Sequence, residues 1–549
     1  MGLVLALLGC HYFEAAPESP MLGLAPREAL LRLSVDLRGV HPTEEELVAI
    51  DANPDLYAQY VERYLEDPRF VGRMREVFNL RYLTRTGDTY FDTTEAGLGD
   101  IASTTVGDSI GEEPLRLLTY LIEEDLPYSY IVTASHTMAD PVLARMWDLE
   151  REPGDAPDDQ GWAPATWRDG RPAAGMLSMT TIWQRYPSMG GNANRHRANA
   201  ISRMLLCDDY LSRPIVLNRA AVDLLTLDPE NAIAVTASCQ SCHSTLDPLA
   251  GTLFGFFHYD ANQSIDDAIT YRPETEEAWR DYSGKEPGYF GRPTANLVEL
   301  GANIAADPRF AECAVRTVWE GFSQRSYTDD DWEEVAALRD VYEVDGARLT
   351  PVVRALVTSA AYRAGSVVAG IGDDADLDER LATVRVVSPA QLQSVVEDLT
   401  TYRWTFDGRP GLTSNDVGMQ VLAGGVDSRY VTLPSYTPSL GLAFVQERLA
   451  QAAGRHVAEH DLAEGRAGDA ILLRYVTALD TPESAPDAFE AQIRFLYLRI
   501  TGAPLPAEAT EPLALAALWN ELMKVEDSPT SAWAGVVSAV LRDPAVLFY

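Results

Sequence analysis

Residues 29–50, ALLRLSVDLRGVHPTEEELVAI, hold the pattern on which the rest of the chain is built. A run with apolar residues at helical spacing reaches Gly39, a turn follows through Val40, His41 and Pro42, and a second helix opens at Thr43-Glu44-Glu45-Glu46. Those four residues form a capping box: the Thr43 hydroxyl accepts from a backbone N–H one turn on, and Glu46 reaches back to the Thr43 N–H. A third helix is expected over YAQYVERYLEDPRF from Tyr57.

The same plan recurs twice. CAVRTVWEGFSQRSYTDDDWEEVAALRDVY from Cys313 is followed by LTPVVRALVTSAAYR, and QIRFLYLRITGAPLPAEATEPLALAALWNEL from Gln492 is followed by AWAGVVSAVLRDPAVLFY. We read three degenerate copies of a three-helix unit. Asp67-Pro68, Asp307-Pro308 and Asp543-Pro544 mark helix starts, with Asp as cap and Pro at the first helical position, so these aspartates are structural. The expected fold class is mainly α: multi-helix domains with a cytochrome-c-like haem-binding segment and the three-helix units. The stretches Asp148–Pro172 and Asp266–Arg292 are rich in Pro, Gly and Asp and read as long surface loops. The expected organisation is a signal remnant over 1–10, a tether over 11–27, an N-terminal helical domain over 28–150, a haem-binding helical domain over 160–365, a linker over 366–385 and a C-terminal helical domain over 386–549.

The 549 residues exceed one ordinary domain, and 46% hydrophobic with 23% charged residues exclude bulk disorder and fibrous repeats. The formal net charge is −38, and Lys285 and Lys524 are the sole lysines. Such a field repels phosphate backbones, so no nucleic-acid partner is expected. After the first ten residues no apolar run approaches the roughly 20 residues that span a bilayer.

Those ten residues, MGLVLALLGC, end in Leu7-Leu8-Gly9-Cys10, which looks like the lipobox of a bacterial lipoprotein signal, although no basic leader precedes it. Cleavage would leave Cys10 as a lipidated N-terminus, and HYFEAAPESPMLGLAPRE would tether it to the body. The bland alternative is an apolar tail with a chance cysteine.

Cys239-Gln240-Ser241-Cys242-His243 is the C-x-x-C-H signature of covalent c-type haem attachment. Two thiols add to the two vinyl groups of one porphyrin, and the adjacent His243 is the proximal iron ligand. A thioredoxin-like pair would want a βαβ context, a zinc site a second ligand pair, and a Cys239–Cys242 disulfide a strained loop. Haem maturation belongs on the oxidising side of a membrane, which agrees with the lipobox. Cys207 and Cys313 are then most simply one disulfide, the alternative being two buried thiols.

The pieces REALLRLSVDLRGVHPTEEEL, EEPLRLLTYLIEEDLPYSYIVTASHTMADPVLARMW, RHRANAISRMLLC and CQSCHSTLDPLAG together resemble the large cytochrome-c-containing lipoproteins of planctomycetes and myxobacteria, which are built from domains of unknown function. The resemblance covers most of residues 26–365. It implies export, one covalent haem and a helical body, and it carries no settled activity.

For the sixth iron ligand, Met179 and Met189 rank first because both sit in loop-like sequence; Met176, Met204, His196 and His258 are further candidates. For each methionine the alternative is ordinary core packing. Arg195 and Arg197, with Arg203, are candidates to neutralise haem propionates or a basic spot on an acidic surface. Three function classes follow: an electron carrier that works with a redox partner protein from a lipid-anchored position in the cell envelope, with the outer membrane favoured; a haem-dependent oxidoreductase or peroxidase-like enzyme; and a surface-anchored binding or scaffold protein with haem as a structural staple. No Ser-His-Asp constellation or phosphate-binding glycine loop is visible in the sequence.

Overall fold

In the computed structural model, residues 29–50 fold as two helices with a tight turn between them. The structure describes residues 21–87, 94, 97–151, 161–188, 190–215, 219–256, 271–367, 384–463 and 469–549. Helix α1 (Pro26–Arg38) stops where Gly39 enters the left-handed region at φ 70°, a conformation that costs glycine nothing, and its N–H closes on the Val35 carbonyl. Helix α2 (Glu44–Ala52) opens with the expected reciprocal cap: the Glu46 N–H donates to Thr43 Oγ1 at 3.2 Å, and the Thr43 N–H donates to Glu46 Oε2 at 2.9 Å. Helix α3 (Tyr57–Leu65) completes the first unit, and α4 (Arg69–Tyr82) and α5 (Ser103–Glu123) follow.

The middle of the chain contains α6 (Arg195–Leu206), α7 (Arg219–Leu227), α8 (Pro229–Val235) and α9 (Ala237–Gly251). The second three-helix unit is α10 (Pro308–Ser323), α11 (Trp332–Val344) and α12 (Leu349–Thr358). Beyond it come α13 (Pro389–Thr400), α14 (Leu440–Asp461) and the third unit, α15 (Pro486–Thr501), α16 (Glu511–Glu526) and α17 (Pro529–Leu541). Each expected unit is therefore three consecutive helices packed on one another. The three Asp-Pro steps share one device, since Asp67, Asp307 and Asp543 each accept from the N–H two residues on, at 2.9 to 3.0 Å. The chain is mainly helical.

Packing redraws the expected domains. One hydrophobic core runs from Ala29 to Tyr362 and takes residues from both the 28–150 and the 160–365 segments, so no core boundary falls near residues 150–160. A second large core is built from residues after Val386, together with Val35 of α1. Of the expected linker 366–385, residues 368–383 lie outside the described residues. The two stretches read as surface loops carry strands instead. Glu150–Arg151 and Ala163–Thr166 join Thr137–Ala139 in a three-stranded antiparallel sheet, and Gly288–Tyr289 pairs with Arg292–Pro293. Ala163 and Ala165 are buried, which polar composition on either side of them concealed.

Helix α1 is buried nearly all round, charged residues included. Asp36 accepts hydrogen bonds from the Tyr362 and Tyr549 hydroxyls, each at 2.7 Å, and from the Arg385 guanidinium. Arg32 donates to the Tyr362 and Ala364 carbonyls at 2.8 and 3.1 Å. The first-unit turn docks on α15, where Arg499 donates to the Pro42 carbonyl at 3.0 Å.

His41 is buried in that docked turn. Burial first, and then the Arg499 charge, pulls it down to about 3. The unfolded chain takes up a proton at His41 as pH falls through about 6.5, whereas the folded chain does so only near 3. The stability this group provides is thus complete above pH 6.5 and lost on acidification, by about 3 kcal/mol at pH 4.5. In urea titrations, the loss of stability between pH 7.5 and 4.5 is expected to shrink by about 2 to 3 kcal/mol in His41→Gln; an unchanged loss refutes this account.

Candidate functional site

The C-x-x-C-H residues occupy the first two turns of α9, whose start is set by Thr236: its carbonyl accepts from the Cys239 and Gln240 N–H groups at 3.0 and 2.9 Å. At 100° per residue, Cys239, Cys242, His243 and Asp247 fall on one side of the helix. Further along the same side, Leu246, Leu249 and Ala250 dock into the main core, against which Cys242 also packs. Cys239 and Cys242 are partly exposed and carry free thiols.

His243 is tied within its own helix. Its Nδ1 lies 2.9 Å from Asp247 Oδ1, so Nε2 is the nitrogen left for a ligand. The Asp247 carboxylate is buried and also accepts from Arg195, from Nε to Oδ1 at 2.7 Å and from Nη2 to Oδ2 at 3.3 Å. Burial opposes its ionisation, but the His243 and Arg195 hydrogen bonds together hold the carboxyl below its ordinary range. A second clamp joins the Tyr210 hydroxyl to Thr245 Oγ1 at 2.8 Å. Arg213, stacked 4.0 Å from the Tyr210 ring centroid, lies against the Cys242 thiol. Leu211, Ile215, Val222, Leu225, Leu227 and Val235 are exposed on the segment leading into α9, an apolar surface next to the motif in sequence.

The donor set fits covalent haem: two free thiols one turn apart, an adjacent imidazole with its inner nitrogen fixed, and exposed apolar side chains on the segment that precedes the motif. Among the described residues no group of three or more His, Cys, Asp and Glu is arranged to hold a metal ion.

Other expected site residues are placed differently. Met179 is fully buried in the main core, as are Met176 and Met204, the setting of ordinary core methionines. Met189, His258 and Cys10 lie outside the described residues. Arg197 does not face a propionate. It is buried and donates to the carbonyls of Tyr186, Trp183 and Phe256 at 3.0, 3.2 and 2.6 Å, and burial pulls it down to about 9. Arg195 holds Asp247 rather than standing free for a propionate. Arg203 donates to the Arg81 carbonyl and the Tyr186 hydroxyl, and His196 packs beside the Tyr186 ring.

Sequence reasoning missed the roles of Asp247 and Arg213. The signal for Asp247 was the four-residue spacing from His243, which a helix turns into contact; Arg213 reaches Cys242 only through the fold.

Cys207 and Cys313 form a disulfide, with sulfurs 2.12 Å apart, that joins the C-terminal end of α6 to α10. Family models, curated proteins and solved structures give no match to this chain.

The double variant Cys207→Ser, Cys313→Ser is expected to lose about 2 to 5 kcal/mol of stability, the usual effect of removing a native disulfide that closes a long loop. Denaturant midpoints measured with and without reductant check this; wild type that is insensitive to reductant, with two titratable thiols in addition to those of Cys10, Cys239 and Cys242, would contradict the pairing.

Proposed function

We propose that this chain is an exported c-type haem protein that transfers electrons, with one haem held by thioethers to Cys239 and Cys242 and His243 as the axial iron ligand through Nε2. The observation that carries the reading is the shared face of α9, where the two free thiols stand beside an imidazole whose Nδ1 is engaged by Asp247. Haem bound there supplies a one-electron ferric/ferrous couple. The chain's own part is to hold the imidazole by its inner nitrogen, to present apolar side chains from Leu211 to Val235 near a porphyrin, and to set Arg213 beside the attachment thiol.

Export is supported by the Cys207–Cys313 disulfide, which suits an oxidising compartment, and by the lipobox-like Leu7-Leu8-Gly9-Cys10. The reading places the protein at the cell envelope on a lipid anchor at Cys10, with the outer membrane favoured, where it exchanges electrons with a partner protein. The resemblance to cytochrome-c-containing lipoproteins points the same way. No helix among the described residues is long and apolar enough to cross a membrane.

A second reading, a haem-dependent oxidoreductase, is favoured by one observation. Met176, Met179 and Met204 all pack inside the core, away from the surface, and an iron whose sixth position none of them fills binds small molecules.

Produced in an export host with haem-maturation machinery, the wild type is expected to keep its pigment through denaturing electrophoresis, and Cys242→Ser to weaken the attachment. A colourless protein rejects the haem reading. A ferric spectrum of low-spin iron supports the carrier, and high-spin iron that takes up peroxide or carbon monoxide moves the enzyme reading to first place. For location, wild type is expected in the membrane fraction and Cys10→Ala in the soluble periplasmic fraction; wild type that stays soluble with Met1 intact rejects the anchor.

A further inference from the structure

Asp247 stands where an aspartate is costly. It lies inside α9, one residue before Pro248, where Asp is a poor helix former, and its side chain is about 2% exposed, where an unpaired charge is strongly unfavourable. It caps no helix end. Its two partners account for its position: His243 from one turn earlier on the same helix, and Arg195 from the first turn of α6. One oxygen, Oδ1, receives both the His243 Nδ1 and the Arg195 Nε, at 2.9 and 2.7 Å. The position of Arg195 is itself fixed, since the opposite end of α6 is bonded to α10 through Cys207–Cys313.

We propose that Asp247, oriented by Arg195, is a positioning residue that keeps the proton of His243 on Nδ1, directs Nε2 outward as the ligating nitrogen, and sets the reduction potential of the iron bound there. The proposal rests on the covalent-haem reading. A carboxylate that accepts from the inner nitrogen of a ligating imidazole makes that imidazole more basic and favours the more positive metal ion. Arg195 shares the same oxygen and draws charge away from it, so the two residues act in opposite senses. Removing the anion raises the potential, and removing the cation lowers it. A role confined to packing α6 against α9 predicts lost stability in both variants and no such opposition.

The test uses the full-length haem-loaded protein in spectroelectrochemical titration, with resonance Raman spectra of the ferrous form. Asp247→Asn is expected to raise the ferrous-to-ferric ratio at a fixed applied potential about tenfold, a shift of about 59 mV for a one-electron couple. In whatever fraction of the ferrous iron is five-coordinate, the iron–histidine stretching band is expected to move to lower frequency. Arg195→Gln is expected to change the ratio in the opposite direction by severalfold, and Asp247→Glu to restore part of the wild-type value. If either the asparagine or the glutamine variant fails to fold, the other decides by the sign of its shift. A pigmented wild type whose foldable variants stay within twofold of its ratio, with an unmoved stretching band, overturns this inference alone. A wild type that takes up no haem overturns the haem reading and this inference together.

Discussion

The buried carboxylate of Asp36 is the constraint from which the rest of the architecture follows. A charge this deep is tolerable only with near-complete hydrogen bonding, and its partners come from three distant places: Tyr362 after the second helical unit, Arg385 before the C-terminal region, and Tyr549. Arg385 and Tyr549 also exchange backbone hydrogen bonds, at 2.9 and 3.0 Å, so the carboxylate and a short strand-like pairing hold the same place. Gln391 adds a bond to the Val35 carbonyl and another to the Tyr549 hydroxyl. Helix α1 therefore belongs to both large cores: Leu30, Leu33 and Leu37 enter the first, and Val35 enters the second. The expected division into separate helical domains fails here for a physical reason, because the element that opens the first segment is the one the last segment packs against.

Much of the helical plan was legible because it is written in local chemistry. The Thr43–Glu46 cap, the Asp-Pro steps and the periodicity of the three units depend on neighbours within one turn; the cap and the Asp307-Pro308 step appear as read, while the helix after Asp67 opens one residue late, at Arg69, and Pro544 begins only a short 3-10 turn. The disulfide was legible by a different route, from export logic and a count of the cysteines left over. What could not be read was direction. The spacing of α1 does not reveal that Arg32 and Asp36 point inward, since their partners lie elsewhere in the chain, or that Arg38, bonded locally to Ser34 and Glu46, is covered by the Tyr64 ring 3.6 Å away. Arg197 looked like a free basic group for the same reason. Only the fold brings the carbonyls of Tyr186, Trp183 and Phe256 around it.

The candidate site divides along the same line. Cys239, Cys242, His243 and Asp247 were all present in one quoted stretch, and a helix is enough to bring them together. Met179 sits in loop-like sequence with no apolar stripe around it, yet the segment folds back and Met179 lies in the main core with Ile182 and Trp183. Arg195 was noticed as a fixed guanidinium that binds a carboxylate, and the carboxylate it meets in the fold is that of Asp247.

That division has a consequence for the order in which the molecule is assembled. Both thiols, the imidazole and its acceptor lie within nine residues of one helix, so they find their relative positions as soon as that helix forms, on the fast timescale of local structure. The Arg195 contact closes 52 positions away in sequence, and the Cys207–Cys313 crosslink that steadies α6 spans 106. The local contacts can therefore form before the large cores close, and the long-range contacts arrive afterwards to fix a geometry already drawn in miniature.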